Sequence, residues 1–121
     1  MSNAIERLAE TYIAAFIERD PVRREQLLNE CFAVDGRLVT RHRVIQGRAA
    51  LAADIARFHR DFRWRSVHRL SPIDVGSRTF RYRGVVEFED GTTAEAFDAG
   101  EVNADGKISL VLTFDGPLAS I

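Results

Sequence analysis

The chain has 121 residues, of which 45% are hydrophobic and 29% charged, and its formal net charge at pH 7 is -1. This length and composition predict a single domain spanning residues 1–121. The near-neutral charge disfavours nucleic acid and anionic membranes as partners, and no apolar run reaches the ~20 residues of a membrane helix. One cysteine excludes an internal disulfide. We expect a cytoplasmic protein, because the sequence shows no signal peptide.

Three helices are predicted in the first half of the chain. They cover residues 4–19, 21 to about 32, and roughly 48–60. In the first helix, apolar residues such as Tyr12 and Phe16 recur at three- and four-residue spacing and form one stripe. Asp20-Pro21 is typical of a helix start, because a capping carboxylate precedes a proline whose missing N–H is not needed there. Asp35-Gly36 predicts a turn before a short strand over 37–40.

The second half alternates between apolar and polar residues, which predicts strands. The four long candidates cover 62–73, 79–89, 92–103 and 107–115. Two of the short links between them contain Asp-Gly, a strong hairpin signal. Consecutive hairpins form an antiparallel meander, and the helices must cover one of its faces. The predicted fold class is therefore α+β, with three N-terminal helices packed on a strongly curved antiparallel sheet.

The alternation also predicts which side chains face the helices. In each long strand the apolar or small set should face inward, including Trp64, Tyr82 and Val86. His68 and Asp98 are the polar residues of that set. Its small residues are Gly84, Ala94, Ala96 and Gly100. Small inner residues on a bent sheet leave room for an apolar pocket.

The last strand can be placed in two ways. Hydrophobicity favours Ile108, Leu110, Leu112 and Phe114 as its inner residues. The opposite parity would turn Thr113 inward and bring Asp115 near the pocket. The residues alone leave this choice open.

The order of the predicted elements resembles the nuclear transport factor 2-like superfamily, and within it the SnoaL-like and ketosteroid isomerase-like proteins. Short matching motifs lie at 12–16 (YIAAF), 31–35 (CFAVD), 47–51 (GRAAL), 103–108 (NADGKI) and 114–118 (FDGPL). The resemblance covers nearly the whole chain. It implies a cone-shaped, cystatin-like α+β barrel, and it favours the inward placement of Thr113.

The resemblance also implies roles for single residues. Tyr12 falls where ketosteroid isomerases have a tyrosine that donates to the substrate oxyanion, and Asp98 where a protonated aspartic acid donates beside it. Thr40 falls at the position of the proton-shuttling aspartate, and threonine cannot take a proton from carbon. This difference argues against ordinary ketosteroid isomerase activity. The base could instead be His68, Asp115 or a bound water. Alternatively, Asp98 is a structural carboxylate bonded to Tyr12, His68 or the backbone.

Two functions remain open. The first is an isomerase, lyase or cyclase acting on a small, mostly apolar carbonyl compound; the second is a non-catalytic module that binds an apolar ligand or a partner protein. The predicted lining residues are Tyr12, Phe16, Thr40, Phe58, Trp64, Tyr82, Val86 and Asp98. No metal-ligand spacing and no cofactor fingerprint occurs, so we expect neither a metal nor a cofactor.

We expect a homodimer formed through the outer sheet face, where Val67, Val85 and Phe97 are apolar. The arginine-rich stretch from Arg57 to Arg69 is interpreted as cross-strand charge pairing or a dimer rim on that face rather than as a nucleic-acid site.

Overall fold

A computed structural model describes residues 3–116 and 120–121 of the chain. Its helices are α1 (Ala4–Ile17), α2 (Pro21–Cys31) and α3 (Arg48–Asp61). Its strands are β1 (Phe32–Val39), β2 (Val44–Gln46), β3 (Trp64–Arg69), β4 (Asp74–Val75), β5 (Thr79–Phe88), β6 (Thr93–Val102) and β7 (Ile108–Asp115). The end of the 114–118 motif lies outside the described residues.

The helix starts follow the local sequence. Asn3 caps α1 by accepting a hydrogen bond from the Ile5 N–H at 2.7 Å. Asp20 caps α2 in the same way, accepting from the Val22 N–H at 3.1 Å, with Pro21 as the first helical residue. In both cases the side chain satisfies a backbone donor that the helix itself leaves free. None of the described helices combines the length and the apolar character needed to cross a membrane.

The region predicted as a turn at Asp35-Gly36 lies inside a strand. β1 continues from Phe32 to Val39 and forms a hairpin with β2, which the sequence analysis missed. Gly36 is required there because the Phe32 ring covers it; an added Cβ would lie 2.5 Å from the ring. Glycine thus serves a close approach within a strand instead of a turn.

The sheet is mixed. Within the described residues it has seven strands, in the order β2-β1-β7-β6-β5-β3, with β4 paired to β5. The meander β3-β5-β6-β7 is antiparallel as predicted, whereas β1 joins it through a parallel pairing with β7. The predicted 62–73 strand is shorter than expected, because β3 ends at Arg69, and the separate strand β4 lies beyond it in the predicted link. The predicted α+β class is confirmed, with one parallel pair in its sheet.

The core lies between the helices and the inner face of the sheet. Its fully buried members come from every layer and include Ala9, Leu28, Phe32, Leu51, Ile108 and Val111. Arg24 is also buried. Its guanidinium donates to the Glu18 carbonyl at 3.0 Å and the Arg19 carbonyl at 3.4 Å, next to the end of α1. Its charge is thus held by backbone acceptors.

Candidate functional site

A cavity of about 250 Å³ lies between α1, α3 and the inner face of the sheet. A cavity of roughly 150 Å³ already accommodates benzene, so this one has room for a somewhat larger organic ring. Its closed end is formed by buried residues, among them Tyr12, Ile55 and Tyr82. Its open end is formed by exposed residues such as Arg43 and Asp115.

Most of the predicted site residues line this cavity. They are Tyr12, Phe16, Thr40, Phe58, His68, Tyr82, Val86, Asp98 and Asp115. Trp64 does not, and its assignment as a ligand-binding residue is corrected. It is buried against the guanidinium of Arg19, which lies 3.8 Å from the ring centroid, and against the edge of the His59 ring. The Trp64 indole N–H has no partner among the described residues.

Asp98 is the centre of a hydrogen-bond row that crosses three strands. Register places Tyr82, Asp98 and Thr113 side by side on β5, β6 and β7. The Tyr82 hydroxyl donates to Asp98 Oδ2 at 2.8 Å, and the Thr113 hydroxyl donates to Oδ1 at 2.7 Å. The partners considered from sequence were Tyr12, His68 or the backbone. The two partners found follow from strand register, which neighbouring hairpins fix.

The electrostatics of this row favour protonated groups. Burial raises the pKa of Asp98, and although the hydrogen bonds from Thr113 and Tyr82 act in the opposite direction, burial is the larger effect. Burial also raises the pKa of Tyr12 and of Tyr82 well above the usual range, and the nearby carboxyl of Asp98 raises both further. Both tyrosine hydroxyls therefore keep their protons at neutral pH.

Tyr12 carries a hydroxyl that the protein leaves unused. The side chain lines the cavity and its ring stacks on Phe32, with ring centroids 6.1 Å apart. Among the described residues the hydroxyl has no hydrogen-bond partner. Asp98 lies close enough to affect the pKa of Tyr12. A ligand oxygen in the cavity could therefore reach a free O–H in a space that the Asp98 carboxyl also lines.

The parity of the last strand is resolved by its pairing with β6. Thr113 lies opposite Asp98 and Asp115 lies opposite Ala96, so both face inward and both line the cavity. Phe114 points the other way and is 58% exposed. A register shift between Glu101 and Val102 lets Ile108 be buried as well. The placement implied by the resemblance is correct, and that indicated by hydrophobicity is wrong beyond Ile108.

The predicted inward orientation of His68 is wrong. β3 has one extra residue between Trp64 and Ser66, a β-bulge that exchanges the two faces of the strand. His68 then pairs with Val85, one of the β5 residues predicted to face away from the helices, and is exposed at the cavity edge. For the same reason Val67 and Arg69, both predicted to face outward, pair with Val86 and Gly84 of the inner set.

Thr40 lines the cavity but its hydroxyl is already engaged. It accepts hydrogen bonds from the backbone N–H groups of His42 and Arg43, both at 3.2 Å. These bonds close the turn between β1 and β2. Thr40 therefore shapes the cavity wall through the turn.

A charged part of the wall was not predicted. Asp54 of α3 accepts hydrogen bonds on the same oxygen, Oδ1, from Arg43 Nη2 at 2.7 Å and from Arg57 Nη2 at 2.9 Å, and all three residues line the cavity. The i,i+3 spacing of Asp54 and Arg57 was visible in the sequence. The contact with Arg43 depends on the β1–β2 hairpin, which was not predicted. No group of His, Cys, Asp and Glu able to hold a metal ion occurs in the part of the chain described.

Comparison with known proteins separates fold from sequence similarity. No family model and no curated protein matches the chain. Among solved structures, a candidate isomerase of the SnoaL-like family from Agrobacterium tumefaciens aligns over 92% of this chain and 96% of its own, with a TM-score of 0.83 and 26% identity. The chain has the nuclear transport factor 2-like fold. The resemblance stated from its sequence is thereby confirmed.

Other solved structures that share this fold have different descriptions. An NTF-2-like protein of unknown function from Burkholderia xenovorans aligns over 98% of this chain and 88% of its own, with a TM-score of 0.73 and 14% identity. An LEH-like epoxide hydrolase from M. tuberculosis aligns over 93% and 83%, with a TM-score of 0.70 and 14% identity. Because one fold carries such different proteins, function must be argued from the site.

Proposed function

We propose that this nuclear transport factor 2-like chain is an isomerase-, lyase- or cyclase-type enzyme that acts on a small, mostly apolar carbonyl compound. The observation that carries the proposal is that a free Tyr12 hydroxyl and the Asp98 carboxyl line one cavity. Burial raises the pKa of that carboxyl. Both groups can donate to the same ligand oxygen. In a cavity with mostly apolar walls, donors aimed at a developing negative charge act far more strongly than they do in water.

In this proposal each polar group of the row has a role. The substrate carbonyl oxygen would accept hydrogen bonds from Tyr12 and from protonated Asp98. Tyr82 and Thr113 fix the orientation of the Asp98 carboxyl through the two bonds described above. When a base removes a proton from the carbon beside the carbonyl, the electron pair of that C–H bond moves towards oxygen, where the two donors stabilise it.

Asp115 is the base candidate that the geometry supports. It lines the cavity two residues beyond Thr113, the partner of Asp98 on β7, so both carboxyl groups border the same space. The other two residues considered for this role are less suitable, because His68 pairs with Val85 on the side of β5 that faces away from the helices, and Thr40 has no basic group. Asp115 is also exposed, so its proton can exchange with solvent after each turnover.

Binding of 2-naphthol tests the oxyanion role, since its phenolic oxygen mimics the enol formed in such a reaction. Tyr12→Phe removes a hydroxyl with no protein partner, so it should leave stability unchanged while weakening naphthol binding. Asp98→Asn keeps a donor and should retain affinity, whereas Asp98→Leu should lose roughly 1–3 kcal/mol. Asp105→Asn, in the exposed β6–β7 turn, is the control. Unchanged affinity in both Tyr12→Phe and Asp98→Leu, measured by calorimetry, would contradict the proposal.

A second candidate function is a binding module of the same fold without catalysis. The presence of Thr40, a residue with no basic group, at the base position of the ketosteroid isomerases favours it. Hydrogen–deuterium exchange of 2-tetralone in D2O, at the carbon beside its carbonyl, distinguishes the two candidates. An enzyme should accelerate this exchange, and Asp115→Asn should slow it by about 10²–10⁴-fold. If the wild-type protein binds naphthol but leaves the exchange rate at its background value, the chain is a binding module without catalysis.

A further inference from the structure

The open end of the cavity carries a cluster that the proposed chemistry does not use. We call Arg43, Asp54 and Arg57 the arginine clamp. Two guanidinium groups share one oxygen of one carboxylate, at 2.7 Å and 2.9 Å. The Asp54 side chain is only 18% exposed, whereas those of Arg43 and Arg57 are 45% and 38% exposed. Asp54 therefore anchors two accessible cationic groups to the cavity wall.

The clamp has hydrogen-bond capacity left over. A guanidinium group offers five N–H donors. Within the described residues the guanidinium of Arg43 bonds to Asp54 alone. Arg57 adds only a long contact of 3.9 Å to Asp61, which is itself paired with Arg60. Most of the donors of the clamp are therefore available to a ligand that enters the cavity.

The charges around the open end also favour an anion. The cavity is lined by three guanidinium groups, with Arg69 as the third, against the carboxylates of Asp54 and Asp115. Arg69 makes a weak bond of 3.4 Å to the Ser71 carbonyl. The closed end is buried and mostly apolar, with the Tyr12–Asp98 donors. The cavity thus has an apolar middle, neutral donors at one end and excess positive charge at the other.

We propose that the ligand is an amphiphilic acid: an apolar body with a carbonyl or enol oxygen at one end and a carboxylate at the other, which the arginine clamp binds. This inference rests on the proposed function for the orientation of the ligand. A planar carboxylate matches the forked donors of a guanidinium, and such charge-assisted pairs are among the stronger hydrogen bonds. Asp54 acts as a positioning residue that holds both forks towards the cavity.

Three probes of matched shape test this. They are 6-hydroxy-2-naphthoate, its methyl ester and 2-naphthol, titrated at pH 7 at low and high salt. We expect the naphthoate to bind the wild-type protein at least about tenfold more tightly than the ester, because it adds charge-assisted bonds. Arg43→Gln and Arg57→Gln should each remove most of this difference without changing the affinity for 2-naphthol. The advantage of the naphthoate should also shrink at high salt.

Arg60→Gln is the matched control, because Arg60 lies on the same helix, is 70% exposed and contacts Asp61 rather than the cavity. It should keep the full preference for the naphthoate. Equal affinities for naphthoate and ester, failure of the naphthoate to bind, or equal effects of Arg43→Gln and Arg60→Gln would overturn the clamp. If the naphthoate binds through Arg43 while Tyr12→Phe has no effect on it, the clamp stands and the oxyanion role fails.

Discussion

Asp98 shows how one residue acquires its chemistry from its surroundings. Free aspartate is ionised at neutral pH. Here the side chain lies on the cavity wall in a row between two hydroxyl groups, where burial raises its pKa despite both hydrogen bonds. The type of residue was evident from the sequence, and so was its placement on the inner face. Its partners Tyr82 and Thr113 were not, because they depend on the registers of two hairpins and on the parity of the last strand.

The raised pKa of Asp98 predicts a pH dependence of stability. The folded protein holds this proton more tightly than the unfolded chain does. The contribution of Asp98 to the free energy of unfolding is therefore fully present below the pKa of an unfolded aspartate, about 3.9, and is lost as the pH rises through the folded-state value. Asp98→Asn removes the titration. Urea unfolding from pH 4 upward should show the wild type losing stability relative to Asp98→Asn. The control Asp105→Asn should lose stability as the wild type does. Parallel plots of stability against pH for Asp98→Asn and the wild type would contradict the burial effect.

At the scale of elements, small departures from regular pairing decide which side chains reach the cavity. A single extra residue in β3 turns His68 outward and Arg69 inward. Helix starts were predictable because capping is local, whereas the bulge was not, because nothing in the alternation of β3 marks it. The β1–β2 hairpin was missed because Asp35-Gly36 resembles a turn, while the actual turn at Thr40–Arg43 has neither Gly nor Pro.

Replacing the inner glycines of the neighbouring strands β5 and β6 by alanine should affect stability to different extents. The sequence analysis treated Gly84 and Gly100 alike, as residues that leave space. A Cβ at Gly100 would lie 2.3 Å from the Phe80 ring, whereas one at Gly84 would meet only the His68 carbonyl at 3.4 Å. Gly100→Ala should therefore destabilise the protein by about 1–3 kcal/mol. Gly84→Ala should lower the stability by less, but it should reduce ligand affinity because Gly84 lines the cavity. Denaturant unfolding of both variants checks this; equal losses of stability would show that Phe80 moves aside.

At the scale of the whole molecule, the outer face of the sheet carries an apolar strip of partly or fully exposed residues. Phe97 lies opposite Phe114, and Ala99 lies opposite Leu112, on β6 and β7. Phe114 is 58% exposed. The sequence analysis named Val67, Val85 and Phe97 for this face; Val67 instead lies on the inner face, and the β7 residues take its place.

We expect this strip to form the interface of a homodimer with twofold symmetry. Phe114→Lys would place a charge in the middle of the contact and should convert the dimer to a monomer in sedimentation experiments at micromolar concentration. Val22→Lys is the control, since Val22 is 64% exposed and lies on α2, which is not part of the outer sheet face. It should leave the dimer intact. A wild-type protein that sediments as a monomer would exclude the dimer.

The sequence by itself determined the α+β class, the three helices, the antiparallel meander and the placement of Tyr12 and Asp98 on inward-facing stripes. These follow from periodicity, capping and turn chemistry, which act over a few residues. Only the tertiary structure decided the partners of Asp98, the outward position of His68, the inward position of Asp115 and the meeting of Arg43 with Asp54. Each of these depends on strand register or on contacts between elements distant in sequence. A one-residue shift in pairing exchanges the two faces of a strand while leaving its sequence pattern unchanged.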